Sequence, residues 1–449
     1  MRRSLSFALL LALVATAACR RAPAPPQNLL LIVIDCLRAD HVGANGYARP
    51  TTPHLDALAR EGVDFRDAFA EASWTRPSVP TLLTALYPSE HGLLTFDEQG
   101  NGKVESPALA ESVPTIATVL KAAGYRTAMI GEQFQLAPQF GLARGFDVYT
   151  HKAGKAETIN RKFLDFAAAP PAGAPFFAYL HYLEIHWPYC PPEGVRGKFE
   201  TASSSIAWCS DWRQLREDIL SGKLQLSAAD MQVMQARYDE ELLALDGEIG
   251  KLFDELKQRG LWDTTTIVVT ADHGEEFFEH GLMGHGQSLY DELLHVPLIV
   301  KPAKSVGGPR GVAVDALLES RRIAPTLAAL GGAKVEGRLA GPSLLPWLTG
   351  HASAESADAY VVAESSEQIS VRSRAFKLIA DRKSGRFTLY DLAADPGETH
   401  DATAEHRRTA ATLRGDLKRW LDSLHPAASR PAEVDKETVE GLRSLGYVH

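Results

Sequence analysis

The chain has 449 residues, 45% hydrophobic and 23% charged, with 47 basic and 56 acidic side chains for a net charge of −9. That length suits one large α/β domain with a smaller appendage, and the composition is that of a globular protein. With no basic tract, the acidic balance argues against nucleic acid as a partner, and four cysteines are too few for a disulfide scaffold.

Arg2 and Arg3 precede an apolar run from Leu5 to Ala15, and Thr16-Ala17-Ala18-Cys19 follows. That order is an export signal over residues 1–18, and the run is too short to span a bilayer. It resembles a bacterial lipoprotein signal, which implies cleavage before Cys19, a lipid on that residue, membrane attachment and a cell-envelope location. Residues 19–27, with Pro23, Pro25 and Pro26, read as a tether. Export permits disulfides. Cys190 and Cys209 share one loop-like stretch and are able to pair, which leaves Cys36 free beside Asp35.

A strand over 29–34 opens the large domain, expected to span 28–354. A helix starts at Thr52-Pro53-His54, with Leu55 and Leu58 inward. A second runs from Pro77 to Leu86, with its prolines in the first turn. A third runs from Pro114 to Ala123, and Gly124 ends it. Strands follow at Arg126–Ile130 and Phe176–Leu180. The apolar spacing of Met234, Tyr238, Leu245, Ile249, Leu252 and Leu256 predicts a long helix over 231–256. A strand over 266–271 comes next. Strands alternating with helices predict a mostly parallel central sheet covered by helices on both faces. Beyond 355 the pattern changes to short strands at 360–363, 369–372, 377–380 and 387–392. A helix follows with Leu413, Leu417, Trp420, Leu421 and Leu424 on one face. The expected second unit, 355–449, is a small antiparallel sheet plus helix.

Two apolar runs stop at acids: Leu30-Leu31-Ile32-Val33-Ile34-Asp35 and Ile267-Val268-Val269-Thr270-Ala271-Asp272-His273. Buried parallel strands read this way when ligand-binding residues sit at their carboxyl ends. Asp35, Asp272 and His273 make a ligand set for one divalent cation. Their mixed oxygen and nitrogen donors admit Mn or Zn readily, with Ca and Mg as alternatives. Thr75 precedes the proline that opens a helix, where free N–H groups carry partial positive charge. A cation-bound hydroxyl there becomes a nucleophile. As a plain helix cap, Thr75 would do no chemistry. Asp291 and His295 have helical spacing but flank a Leu-Leu pair, so Asp291 reads as structural. Strand alternation points the Cys36 side chain away from Asp35, as a small buried residue. His280 and Glu276 are candidates for orienting His273.

The order of several segments resembles the sulfatase family of the alkaline-phosphatase superfamily over roughly residues 28–425. These segments are Asp35-Cys36-Leu37-Arg38, Thr52-Pro53-His54-Leu55-Asp56, Leu82-Leu83-Thr84-Ala85-Leu86-Tyr87-Pro88, His186-Trp187-Pro188-Tyr189, Asp272-His273-Gly274-Glu275 and Leu389-Tyr390-Asp391-Leu392. The resemblance implies an alkaline-phosphatase-like fold, one metal at the strand ends and a nucleophile at Thr75. It implies His186 and His285 as the groups that assist the leaving oxygen. Typical members carry cysteine or serine at the nucleophile position, with an arginine four residues on, and convert it to formylglycine. Here Thr75 and Val79 stand there, so Thr75 would act unmodified. Cys36, Glu132 and Phe134 replace an expected Asp, Lys and His, and His285 takes the approximate place of a further lysine. The expected activity is hydrolysis of a sulfuric or phosphoric ester on a small molecule, glycan or lipid. The alternatives are a phosphodiesterase or phospho-group transferase on the same fold, and an inactive sulfatase-shaped binding protein.

Overall fold

The computed structural model describes residues 27–98, 104–169, 173–209, 212–445 and 447–448. The export signal, Cys19 and all but the last residue of the tether lie outside the described residues. Among those described, no helix is long and apolar enough to cross a membrane.

The apolar, largely β-branched runs build the central sheet. Asn28–Ile34 lies between Phe176–Tyr182 and Thr265–Thr270, parallel to both. Beyond Phe176–Tyr182 come Arg126–Gly131 and Val148–Thr150, also parallel. On the other side, His295–Lys301 runs antiparallel between Thr265–Thr270 and Val63–Phe69. Val312–Val314 and Leu318–Glu319 pair in parallel with Val63–Phe69. The sheet is mostly parallel, as the alternation of elements predicts.

Both faces are covered, which is why the run from Leu29 to Ile34 is apolar rather than alternating. Leu30, Ile32 and Ile34 face one layer, where the helix Ala228–Gln258 presents Met234, Tyr238, Leu245, Ile249 and Leu252. Leu29, Leu31 and Val33 face the other, with Val79, Leu82 and Leu83 of the helix Thr75–Thr84 and Ile323 and Leu327 of the helix Ile323–Leu330. Each such side chain contributes about 2 kcal/mol by leaving water. The Ser227 side chain accepts the Asp230 N–H and so starts the long helix. The helix expected over 77–86 begins at Thr75 and ends at Thr84, and Pro80 stands inside it rather than in its first turn.

Val361–Glu364, Gln368–Arg372, Phe376–Asp381 and Phe387–Asp391 form an antiparallel sheet in chain order. The helix Arg407–Asp422 covers it with Leu413, Leu417 and Trp420. Leu421, expected on that face, is 42% exposed; it lies about 100° around the helix from Trp420. Buried Lys377 joins the two sheets by bonding Asp291 Oδ1 at 2.8 Å and Glu398 Oε1 at 2.9 Å. The chain then returns to the large domain. Arg430–Glu433 pairs with Val104–Ala108, and the helix Lys436–Ser444 leads to Tyr447 at the edge of the site described next.

Candidate active site and metal centre

Register sets the site. Val33 pairs with His181 on one side and Thr270 on the other. Asp35 and Asp272 therefore emerge at the same carboxyl edge, with His181 beside them. Asp35, His181 and Asp272 each offer a ligand atom within 4.8 Å of the others. His273 joins them, with Nε2 3.4 Å from Asp35 Oδ1 and 3.5 Å from Asp272 Oδ2. The expected trio Asp35, Asp272 and His273 is thus assembled. Gly131 allows the crowding, since a Cβ there would lie 2.6 Å from His181 Cβ.

Two donors hold Asp35. Gln133 Nε2 donates to Asp35 Oδ2 at 2.6 Å. Tyr179 OH, 2.8 Å from His181 Nδ1, donates there and leaves His181 Nε2–H to donate to Asp35 Oδ2 at 3.1 Å. His273 Nδ1–H donates to the Gly274 carbonyl at 2.8 Å, so its Nε2 lone pair faces the site.

Thr75 is the first residue of its helix, and the position before it, Trp74, supplies no side-chain cap. The Thr75 hydroxyl is therefore not a helix cap. Its Oγ1 lies 3.3 Å from Asp35 Oδ2 and 3.2 Å from His273 Nε2. A hydroxyl at a helix N-terminus touching two members of a carboxylate–imidazole cluster is placed for nucleophilic attack.

The electrostatics call for a cation. Burial pushes the Asp272 carboxyl up to about 8, and the charge of Asp35 adds to the shift. Burial also opposes ionisation of Asp35, but the His181 hydrogen bond and the His273 imidazole outweigh it and hold that group well below the usual range. Two carboxylates in a dry site share one charge unless a positive ion joins them. Asp272 Oδ2 is buried with no hydrogen-bond partner among the described residues. The donor set, orphaned oxygen included, fits a divalent ion.

The second half of the site holds His186, His285, Glu275, Cys36 and Tyr447. His186 Nδ1–H donates to the Trp187 carbonyl at 2.8 Å, and His285 Nδ1 lies 3.0 Å from Glu275 Oε1. Tyr447 OH meets His186 Nε2 at 3.1 Å and His285 Nε2 at 2.8 Å. A cavity of about 220 Å³ opens here, lined by Trp74, His186, Trp187, Tyr189, His285 and Tyr447 among others. Burial, with His285 adding to it, lowers the His186 pKa; burial and His273 lower that of His285 further. That burial disfavours an imidazolium at His186.

Other expectations are also corrected. Cys36 is buried, but its Sγ lies 3.1 Å from Asp35 Oδ1 rather than on the opposite face. The strand has ended at Ile34 and Cys36 has φ +62°, so strand alternation no longer applies. His280 stacks on Tyr290, and Glu276 accepts from Ser288 Oγ at 3.0 Å; neither is bonded to His273. Glu132 accepts the Gly154 N–H, and Phe134 packs against Gly441. Between them Gln133 is the residue that reaches the Asp35 carboxylate. Asp291 is tied to Lys377, as its structural reading requires. Cys190 and Cys209 form a disulfide with Cα atoms 5.3 Å apart, and Cys36 is free.

A family pattern described as Sulfatase matches residues 27–333, and a second, described as N-sulphoglucosamine sulphohydrolase, C-terminal, matches 278–426. An arylsulfatase of Clostridium perfringens is 24% identical over 365 residues, covering 67% of this chain and 74% of its own. An N-acetylglucosamine-6-O-sulfatase of Bacteroides thetaiotaomicron is 24% identical over 515 residues, covering 92% of this chain and 88% of its own. The crystal structure of the phosphonate monoester hydrolase of Agrobacterium radiobacter superposes with a TM-score of 0.70 at 21% identity. It covers 88% of this chain and 95% of that one, and shares the fold.

Proposed function

Because the chain belongs to the sulfatase family of ester hydrolases, we propose that it cleaves a sulfuric or phosphoric ester with the unmodified Thr75 hydroxyl and one divalent ion. The carrying observation is Thr75 Oγ1 at the helix N-terminus, within 3.3 Å of Asp35 and 3.2 Å of His273. Asp35, Asp272 and His273 would hold the ion, with His181 and Gln133 fixing Asp35. Bound there, a divalent ion supplies positive charge that eases loss of the hydroxyl proton and offsets the charge of the ester. The free N–H groups of the Thr75–Thr84 helix face the ester oxygens. Thr75 gives up its proton to solvent, Oγ1 bonds to sulfur or phosphorus as the bond to the ester oxygen breaks, and that oxygen departs taking up a proton from solvent. His186, His285 and Tyr447 stand by the leaving oxygen, with the Tyr447 phenol proton shared between two imidazole nitrogens. Water then cleaves the Oγ1 adduct and restores Thr75.

The substrate is a small molecule or a glycan or lipid ester, in keeping with the glycan sulfatase among the relatives. The Arg2-Arg3, apolar and Ala18-Cys19 order supports export and a lipid anchor. Phosphoric esters are the second reading. A threonine adduct has no second hydroxyl with which to expel sulfate, whereas a formylglycine hydrate has one. The test is a panel of aryl sulfates and phosphate mono- and diesters run with Mn, Zn, Ca and Mg, on wild type and Thr75→Ala. The variant should lose about a thousandfold or more in kcat on the best substrate while keeping its metal. Wild-type turnover by Thr75→Ala would overturn the mechanism. A protein that turns over nothing in any metal would leave only the binding-protein reading.

A further inference from the structure

The buried carboxylates around Asp35 are paired with histidines, and Arg216, which lines the cavity beside Glu275, makes no ion pair with them among the described residues. Asp35, Asp272 and Glu275 are fully or nearly fully buried. Among the described residues, their side-chain ion pairs are all with histidines. One divalent ion between Asp35 and Asp272 offsets two carboxylates. It leaves Glu275, whose Oε2 is buried without a hydrogen-bond partner, and beside it the free thiol of Cys36.

We propose that Cys36, His186 and His285, with Glu275 beside His285, form a second metal site that takes a soft divalent ion such as zinc. Cys36, His186 and His285 each offer a ligand atom within 4.8 Å of the others. Cys36 Sγ lies 3.6 Å from His285 Nδ1, and that nitrogen lies 3.0 Å from Glu275 Oε1. A tetrahedral ion with Zn–S about 2.3 Å and Zn–N about 2.0 Å sets its sulfur and nitrogen donors about 3.5 Å apart. The observed sulfur–nitrogen spacing meets that geometry without rearrangement.

His186 Nδ1–H is committed to the Trp187 carbonyl, and the Nε2 atoms of His186 and His285 face the Tyr447 phenol. His285 Nδ1 faces the Cys36 thiol and would give its lone pair to the ion. On binding, Cys36 releases its thiol proton to solvent, and thiolate plus Glu275 carboxylate match the two positive charges. A thiolate with imidazoles selects zinc or cobalt over calcium and magnesium. This inference rests on the hydrolase reading only in sharing Asp35's surroundings, and it places a cation where the leaving oxygen would otherwise meet neutral imidazoles.

The test is to strip the full chain with a chelator and titrate it with Co²⁺, following metal content and the near-ultraviolet absorption of thiolate-to-cobalt charge transfer. Wild type should bind two ions per chain, and the charge-transfer band should appear. Cys36→Ser should bind one and lose the band, while Asp272→Asn should keep the band. The wild-type spectrum stands by itself if Cys36→Ser fails to fold. One ion per chain with no band, or a band that survives in folded Cys36→Ser, would overturn the second site and leave the Thr75 mechanism intact. Loss of all metal in wild type would overturn both.

Discussion

Asp272→Asn tests whether the buried carboxylate pair is held in wait for a cation. Burial and the neighbouring charge of Asp35 put the Asp272 pKa at about 8, against an ordinary 3.8. Between pH 5 and 7 an unfolded Asp is ionised, while folded, metal-free Asp272 keeps its proton. Folding therefore takes up one proton in this window, and the Asp272 contribution weakens as pH rises by about 1.4 kcal/mol per pH unit. Over two units that is about 2.7 kcal/mol. Asp35, whose folded pKa is lowered, is ionised in both states over this range and adds no slope. Glu276 and Glu398, each pushed up to about 7, add slopes of their own. These are common to wild type and variant and cancel in the difference. Urea unfolding of both proteins in chelator at pH 5 and pH 7 gives that difference directly. The expectation is that Asp272→Asn gains about 2.7 kcal/mol relative to wild type over the two units. Saturating metal should reverse the ranking at pH 7, because only wild type binds the ion fully. An equal difference at both pH values would show that Asp272 is ionised in the metal-free fold, and the argument from its burial would fail.

Gln133→Ala removes the 2.6 Å donor to Asp35. It should weaken metal affinity about 10- to 100-fold with little change in unfolding midpoint of the metal-free protein, as isothermal titration and urea curves would show. Lys377→Met leaves Glu398 buried without its cation, while Asp291 keeps Arg372. Loss of about 3–5 kcal/mol in urea unfolding is expected, and an unchanged midpoint would mean the two sheets are held by apolar contact alone. Cys19→Ser should release the protein from the detergent-soluble membrane fraction or block its maturation; wild type found wholly in a soluble fraction would count against the anchor.

The fold was legible because its strands are apolar on both faces and its helices are not. The runs ending at Asp35 and Asp272 could be read as strand ends, and parallel pairing then forced the two acids to one edge. His181 carried the same signal: it follows directly on the run expected over 176–180, although the observed strand extends to Tyr182 and register with Val33 puts it beside Asp35. Gln133 stands between Glu132 and Phe134, the positions to which the family pattern points, and its own signal was a polar residue three beyond the end of the strand expected over 126–130. Tyr447 had none. It reaches the site through Arg430–Glu433 pairing with Val104–Ala108, a contact that no local pattern announces. Cys36 was misplaced because strand alternation was extended past Ile34, where a left-handed backbone turn redirects the side chain.

The place of Asn28–Ile34 in the sheet also governs the order in which the molecule can be built. Among the described strands this one is the earliest in the chain, yet it hydrogen-bonds to Phe176–Tyr182 and Thr265–Thr270, which are made much later. Until the later segments are synthesised, one of the most apolar stretches of the chain presents both edges unpaired. Such long-range parallel pairing forms slowly and invites association between nascent copies. A chain halted before residue 265 would keep an open edge at its centre, so shortened versions of this protein should be prone to clump, and its yield should depend on chaperones that shield that first strand.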